Sequence, residues 1–155
     1  ARAALLHFIR LHMDQIIKAK IPVTPQSTDY YHYAKNLNVP IMNARLITMA
    51  STVDVRTAID ELPTTIDGEV ILRIKDRHHD WNDQAFKISG NQTLSAEPIS
   101  EKSTETTLTV EGLTSLIYGS LSVDQLMGLG MLTGEIPTIL DDWFPKCNPW
   151  LSEDF

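Results

Sequence analysis

The first hydrophobic pattern along the chain has a helical period. Four large apolar residues recur at intervals of four, four and three positions: Leu5, Ile9, Met13 and Ile16. This spacing predicts an amphipathic helix over residues 3–18. Pro22 and Pro25 prevent its continuation, and a second, shorter helix is predicted over 27–35.

From residue 41 onward the pattern takes the period of strands. Five strands are predicted, over 41–48, 70–75, 86–88, 92–97 and 106–110. A helix is predicted between the first two, because Ser51-Thr-Val-Asp54 has the form of a capping box and Pro63 ends the apolar stripe that follows. Gly90-Asn91 marks a hairpin turn between the third and fourth strands.

Helical spacing returns in the last third of the chain, where three helices are predicted. The first ends at Gly119, the second begins after a Ser122 cap, and the third has Pro137 in its first turn. Strands followed by helices indicate an α+β domain. We therefore expect an antiparallel sheet of about five strands covered by helices on one face.

Composition restricts the class of protein. The chain has 155 residues, of which 43% are hydrophobic and 21% charged, as in soluble globular domains. No apolar run approaches the roughly 20 residues that cross a bilayer, so no membrane is expected as a partner.

Residue 1 is not Met, and His7 and Arg10 interrupt the first apolar stretch, which predicts a piece of a longer chain rather than a signal peptide. Cys147 is the single cysteine, which excludes an internal disulfide and favours a cytoplasmic location.

The net charge of −7 disfavours nucleic acid, because phosphate binding requires a basic stripe. It favours a cationic small molecule as partner. Four carboxylate side chains cluster near the end of the sequence: Asp141, Asp142, Glu153 and Asp154. Together with the terminal carboxylate they could attract an amine electrostatically; the alternative is a solvated acidic edge.

The region 76–83 is the one candidate for metal binding. Arg77-His-His-Asp80 with Asp83 contains suitable ligands, but adjacent histidines point apart and no further ligand follows at a recognisable spacing. We expect no metal and a solvated turn, with Asp76 and Asn82 bonding nearby backbone groups.

The last eight residues, Asn148-Pro-Trp-Leu-Ser-Glu-Asp-Phe155, combine acids with aromatic residues. A tail stiffened by prolines and docked through Trp143 and Trp150 would hold the carboxylate of Phe155 in one place. Such a group could serve as a catalytic base. The alternative is that the tail only closes a core.

Three groups of segments, in this order, resemble a known family. They are 41–48 with 53–59, then 68–76 with Trp81-Asn82 and 86–88, and finally 113–119 with 126–130 and the ending Ser152-Glu-Asp-Phe155. On these segments residues 40–155 resemble the C-terminal domain of the enhanced intracellular survival (Eis) family. Members of that family are GNAT-type N-acetyltransferases that end in a sterol-carrier-like domain.

The resemblance implies a domain division and a function. Residues 1–39 would be the end of the acetyltransferase region and 40–155 the sterol-carrier-like domain, with a boundary near Asn38-Val39-Pro40. Acetyl-CoA would be held by a preceding domain and not by this chain, which would be inactive alone. The Phe155 carboxylate would act as the base, and Asp154 would face an amine substrate such as an aminoglycoside, a polyamine or a lysine. The full-length protein would be a homo-oligomer.

Two other functions remain open. A sterol-carrier-like domain can hold an acyl chain or a sterol between its sheet and helices. Six residues would line such a tunnel: Leu113, Ile117, Leu126, Met127, Met131 and Leu132. Bulky side chains could equally fill that space. The third possibility is a purely structural role in assembling subunits.

Overall fold

The structure is a computed structural model that describes residues 2–12, 14–20, 49–100, 104–147 and 149. The chain divides into two compact units, 1–48 with 150–155 and 49–149. The predicted helix over 27–35, the predicted strand over 41–48 and the boundary near Pro40 lie outside the described residues. None of the described helices is long and apolar enough to cross a membrane.

In the first unit the described structure is one helix, α1, at Arg2–Leu11. It is shorter than the predicted helix over 3–18. Past Leu11 the amide of His12 donates to the carbonyl of Ile9, three residues back instead of four, and the Nδ1 atom of His12 lies 2.9 Å from the carbonyl oxygen of Phe8. These local bonds replace the regular helical ladder at the end of α1.

The second unit is built on a five-stranded sheet. Its strands are β1 at Gly68–Lys75, β2 at Ala85–Asn91, β3 at Thr93–Ile99, β4 at Thr107–Thr109 and β5 at Leu132–Thr133, in the spatial order β3-β2-β1-β4-β5. Four of these correspond to predicted strands, whereas the two residues of β5 lie in a segment that the sequence pattern assigned to no strand. The pairs β1–β2, β2–β3 and β4–β5 are antiparallel, and β1–β4 is parallel.

The register explains how a short connection can produce the parallel pair. Ala85 is the partner of both Arg73 and Ile99, and Arg73 is the partner of Thr107. The strand β3 therefore ends at the level where β4 begins. A connection between these two strand ends need not run back along the sheet, so the usual crossover of a dozen or more residues is not required.

The described part of this unit also contains four helices: α2 at Val55–Ile59, α3 at Val110–Ile117, α4 at Val123–Gly128 and α5 at Ile139–Trp143. Ser122 forms a complete capping box with Gln125, which confirms the predicted cap. The N-cap of α2 differs from the prediction. It is Asp54 and not Ser51, and its side chain accepts a hydrogen bond from the amide of Thr57. The hairpin turn is displaced by one position as well, with β2 reaching Asn91 and Gln92 at φ 63°.

The hydrophobic core lies between one face of the sheet and the helices. Alternate residues of β1, namely Val70, Leu72 and Ile74, are buried there, and each helix contributes apolar side chains to the same cluster. The opposite face carries polar side chains, including the ion pair of Lys87 with Glu69 at 2.7 Å. This arrangement confirms an α+β fold with helices on one face of a mostly antiparallel sheet.

Candidate functional site

The two residues proposed for chemistry, Phe155 and Asp154, lie outside the described residues, as does Trp150. What the structure does describe is the segment that leads to them. That segment comprises α5, residues 144–147 and Pro149.

Two aromatic residues anchor this segment to the core. Trp143 and Phe144 are each 5% exposed. The indole nitrogen of Trp143 donates a hydrogen bond of 2.9 Å to the carbonyl oxygen of Ile66. Burial of two large rings contributes several kcal/mol of stability, so the chain is firmly anchored in the core at Phe144.

Residues just beyond Phe144 bind the end of α3. The amide of Cys147 donates to the carbonyl of Gly119 at 2.8 Å, and its thiol donates to the carbonyl of Tyr118 at 3.1 Å. The ammonium of Lys146 donates to the side-chain oxygen of Gln125 at 2.6 Å. We call these five residues the tail clamp, because they join residues 146 and 147 to α3 and α4.

Asp141 and Asp142 lie in the first turn of α5 and are exposed. A helix N-terminus favours negative charge, which accounts for both acids without a ligand. Their predicted role in attracting a cation together with Glu153 and Asp154 depends on residues outside the described ranges.

The turn after β1 contains the most densely bonded carboxylate among the described residues. The Asp76 carboxylate accepts hydrogen bonds from the amides of His78 and His79 and from the side chain of Asn82 at 2.9 Å. Burial raises the pKa of Asp76, but the hydrogen bonds from Asn82, His78 and His79 outweigh it and lower the pKa to about 2. Asn82 also accepts the amide of Val55 at the start of α2. The bonds from Asp76 to the amides of His78 and His79 confirm the predicted local role, whereas the link through Asn82 to α2 was not predicted.

The histidines of this turn serve the same structure. The Nδ1 atom of His79 lies 3.1 Å from the Asp76 carboxylate, and its ring lies 4.8 Å from that of Trp81. Among the described residues there is no group of three or more His, Cys, Asp or Glu side chains that could hold a metal.

A second acidic feature appears where β4 and β5 meet. Glu105 and Glu135 line an open depression of about 300 Å³. A hydrogen bond with Glu105, and then repulsion from its charge, raise the pKa of Glu135. The two glutamates are far apart in sequence. The hydroxyl of Thr106 donates to the carbonyl of Glu135, and the pairing of Thr107 with Thr133 brings the two segments together. No sequence signal could have found this pair, because it depends on the pairing of β5.

The six residues predicted to line a lipid tunnel occupy different environments. Leu113, Leu126 and Leu132 are at most 2% exposed and belong to the core, whereas Met127 is 46% exposed. Ile117 and Met131 pack on the edge of the core. In the described part of the chain every buried polar side-chain atom has a hydrogen-bond partner. Three of the six residues therefore belong to the core, two pack on its edge, and Met127 is largely exposed.

Solved structures support this fold. A GCN5-related N-acetyltransferase from Kribbella flavida matches with a TM-score of 0.60 and 22% identity over 68% of this chain and 29% of its own. One from Anabaena variabilis ATCC 29413 matches with a TM-score of 0.52 and 27% identity over 64% of this chain and 26% of its own. Eis1 from Mycobacterium abscessus matches with a TM-score of 0.54 and 18% identity over 66% of this chain and 26% of its own. The matched part is thus less than a third of each of these proteins.

No curated protein matches this chain significantly. The model of the sterol carrier protein domain family matches residues 55–152, which include the sheet from β1 to β5 and the helices α2 to α5. This chain belongs to the sterol carrier protein domain family.

Proposed function

We propose that the intact protein is an Eis-like N-acetyltransferase that uses acetyl-CoA and that this chain supplies its C-terminal part. The observation that carries the proposal is the likeness of this fold to between a quarter and a third of two solved proteins named as GCN5-related N-acetyltransferases and of Eis1 from Mycobacterium abscessus. The acceptor would be an amine of the aminoglycoside, polyamine or lysine type, as the net charge of −7 favours.

Acetyl-CoA would be bound by another domain of the intact protein. Its pyrophosphate needs backbone amides or basic side chains, and the residues that line the depression at Glu105 and Glu135 include two carboxylates and no basic side chain. The described residues do not fit this cofactor there. The contribution of this chain is accordingly assigned to the substrate side of the reaction.

The residue proposed for catalysis is Phe155, through its terminal carboxylate. An ammonium group has no lone pair, so the amine must lose a proton before it can attack a thioester, and a carboxylate within reach can accept that proton directly or through water. A free α-carboxyl has a pKa near 3.5, and burial against apolar surface would raise it toward a useful value. Asp154 would orient the cationic substrate.

This role is tested in the full-length protein by adding one glycine after Phe155. Extension keeps the ring and moves the charge, so we expect kcat to fall on the order of 10²-fold or more, with little change in thermal stability. Phe155→Leu, the matched control, keeps the carboxylate and should retain most of the turnover. Unchanged turnover in the extended protein would remove Phe155 from the mechanism. Mass spectrometry of the C-terminal peptide first verifies that Phe155 ends the natural protein.

A hydrophobic-ligand module is the second candidate, favoured by membership of the sterol carrier protein domain family. The filled core between sheet and helices argues against it. A fluorescent fatty acid that bound with sub-micromolar affinity, about −8 kcal/mol or better, would favour the carrier function over catalysis.

We also propose the domain division near Pro40, a cytoplasmic location and a homo-oligomeric full-length protein. Limited proteolysis should cut between residues 35 and 45, and sedimentation of the full-length protein should give a mass above that of one chain. Protection of that junction, or a monomeric mass, would contradict the corresponding proposal.

A further inference from the structure

We propose that Gly119 is a positioning residue that keeps the tail clamp closed and so holds residues 146 and 147 against α3 and α4. Its consequence for catalysis rests on the proposed function of Phe155. The clamp itself rests only on contacts among described residues.

The clamp completes the end of α3. Tyr118 is the C-cap of this helix, and the last carbonyls of a helix have no intrahelical donor. The carbonyls of Tyr118 and Gly119 receive their donors from the thiol and the amide of Cys147. The chain near its end is therefore part of the cap of a core helix, and detaching it would leave those carbonyls to water.

Glycine at position 119 is required for two separate reasons. Its φ of 63° lies in the left-handed region. In addition, a Cβ at this position would lie 2.6 Å from the Cys147 sulfur, 2.8 Å from the Pro145 carbonyl oxygen and 2.9 Å from the Cys147 nitrogen. Two of these three atoms are backbone, so a side chain at position 119 would push the tail away even if the backbone of Gly119 kept its conformation.

Gly130 provides a matched control. Its φ of 69° imposes the same conformational requirement, but a Cβ there would meet nothing within 4 Å. Alanine at either position incurs the strain of a left-handed conformation. Only alanine at position 119 also displaces the tail.

Opening the clamp would lengthen the tether between this unit and the proposed catalytic carboxylate. Eight residues follow Cys147 in the sequence and eleven follow Phe144. For a flexible tether, the local concentration at a fixed site falls about 1.6-fold over that change in length.

The experiment compares Gly119→Ala with Gly130→Ala in the full-length protein, by two readouts. The first is the rate at which carboxypeptidase A releases Phe155, which follows the population of detached tail. Loss of one ordinary hydrogen bond raises that population about fivefold, so we expect about fivefold faster release from Gly119→Ala and unchanged release from Gly130→Ala. The second is kcat at saturating acetyl-CoA, which should fall, by at most about 1.6-fold, in Gly119→Ala alone, with an unchanged KM for acetyl-CoA.

Cys147→Ala and Cys147→Ser extend the test without altering the backbone at 119. Alanine removes the side-chain donor to Tyr118 and should speed the release of Phe155, whereas serine keeps a donor and should restore the wild-type rate. Equal release rates from Gly119→Ala and Gly130→Ala would overturn the inference. So would a wild-type kcat in Gly119→Ala if extension by glycine abolishes turnover. If extension leaves turnover unchanged while release still accelerates, the proposed catalytic role fails and the clamp stands.

Discussion

The surroundings of two carboxylates, Asp76 and Glu135, shift their pKa values in opposite directions. The Asp76 side chain is fully buried, and its donors lower its pKa to about 2. Glu135 lies at the surface beside Glu105, and its pKa is raised. The charged form of Asp76 stabilises the fold, whereas the charged form of Glu135 is repelled by the neighbouring Glu105.

The difference between them lies in the donors that the fold supplies. Residues 76–82 form one local turn, whose own amides and Asn82 surround Asp76. Strand pairing brings Glu135 next to Glu105, so the neighbour of the Glu135 carboxylate is another carboxylate and not a hydrogen-bond donor from the backbone. A short segment can thus satisfy a buried charge completely, while contact between distant segments can leave like charges together.

The largest effect is expected from Asn82→Ala. Asn82 is 1% exposed, and it bonds Asp76, Val53 and Val55. Its removal leaves a buried carboxylate short of one donor and the start of α2 without an acceptor, so the free energy of unfolding should fall by about 3 kcal/mol. Urea unfolding measures this. Asp83→Ala, which removes an exposed partner of Arg73, should cost less than about 0.5 kcal/mol. Equal losses would show that the turn contributes no more than a surface ion pair.

The next effect is the pH dependence that Asp76 contributes. Its pKa of about 2 in the folded protein lies below the ordinary 3.8, so the charged form stabilises the fold above about pH 4. That contribution, about 2 kcal/mol, is lost as the pH falls from 4 through 2. Asp76→Asn should therefore be less stable than wild type at pH 6, with a difference that shrinks below pH 3. A difference that stays constant from pH 6 to pH 2 would assign the loss to packing.

The smallest effect, opposite in sign, is expected from Glu135→Gln. A raised pKa means that the folded protein holds this proton more tightly, so the carboxylate pair weakens the fold at neutral pH and this weakening disappears as the pH falls. The substitution removes the repulsion and should raise the melting temperature slightly at pH 7 but not at pH 3. Glu97→Gln, on another strand, should show no such difference. A lower melting temperature at pH 7 would mean that the pair is stabilised by a contact other than a shared proton.

Much of the fold follows from local patterns in the sequence. Alternation over 70–75 defined β1 and its buried face, because strand side chains alternate regardless of the partner. Ser122 could be predicted as a cap because a capping side chain bonds an amide only two or three residues further along the chain. The structural role of Asp76 could be predicted for the same reason, since its bonds stay within one turn, whereas the bonds of Asn82 to Val53 and Val55 could not. The roles of Phe155 and Asp154 remain proposals based on resemblance.

The remaining features depended on contacts between distant segments. Thr52 bonds Thr114 at 2.8 Å, and α2 begins at Val55, after the Asp54 cap. The parallel pairing of β1 with β4 follows from where β3 ends in three dimensions. Cys147 shows no motif in the sequence, yet its thiol and amide complete the cap of α3. Spacing along the chain determines which groups can bond locally, whereas only the packed structure decides which distant donor reaches an unpaired carbonyl, because each buried polar group must find a partner.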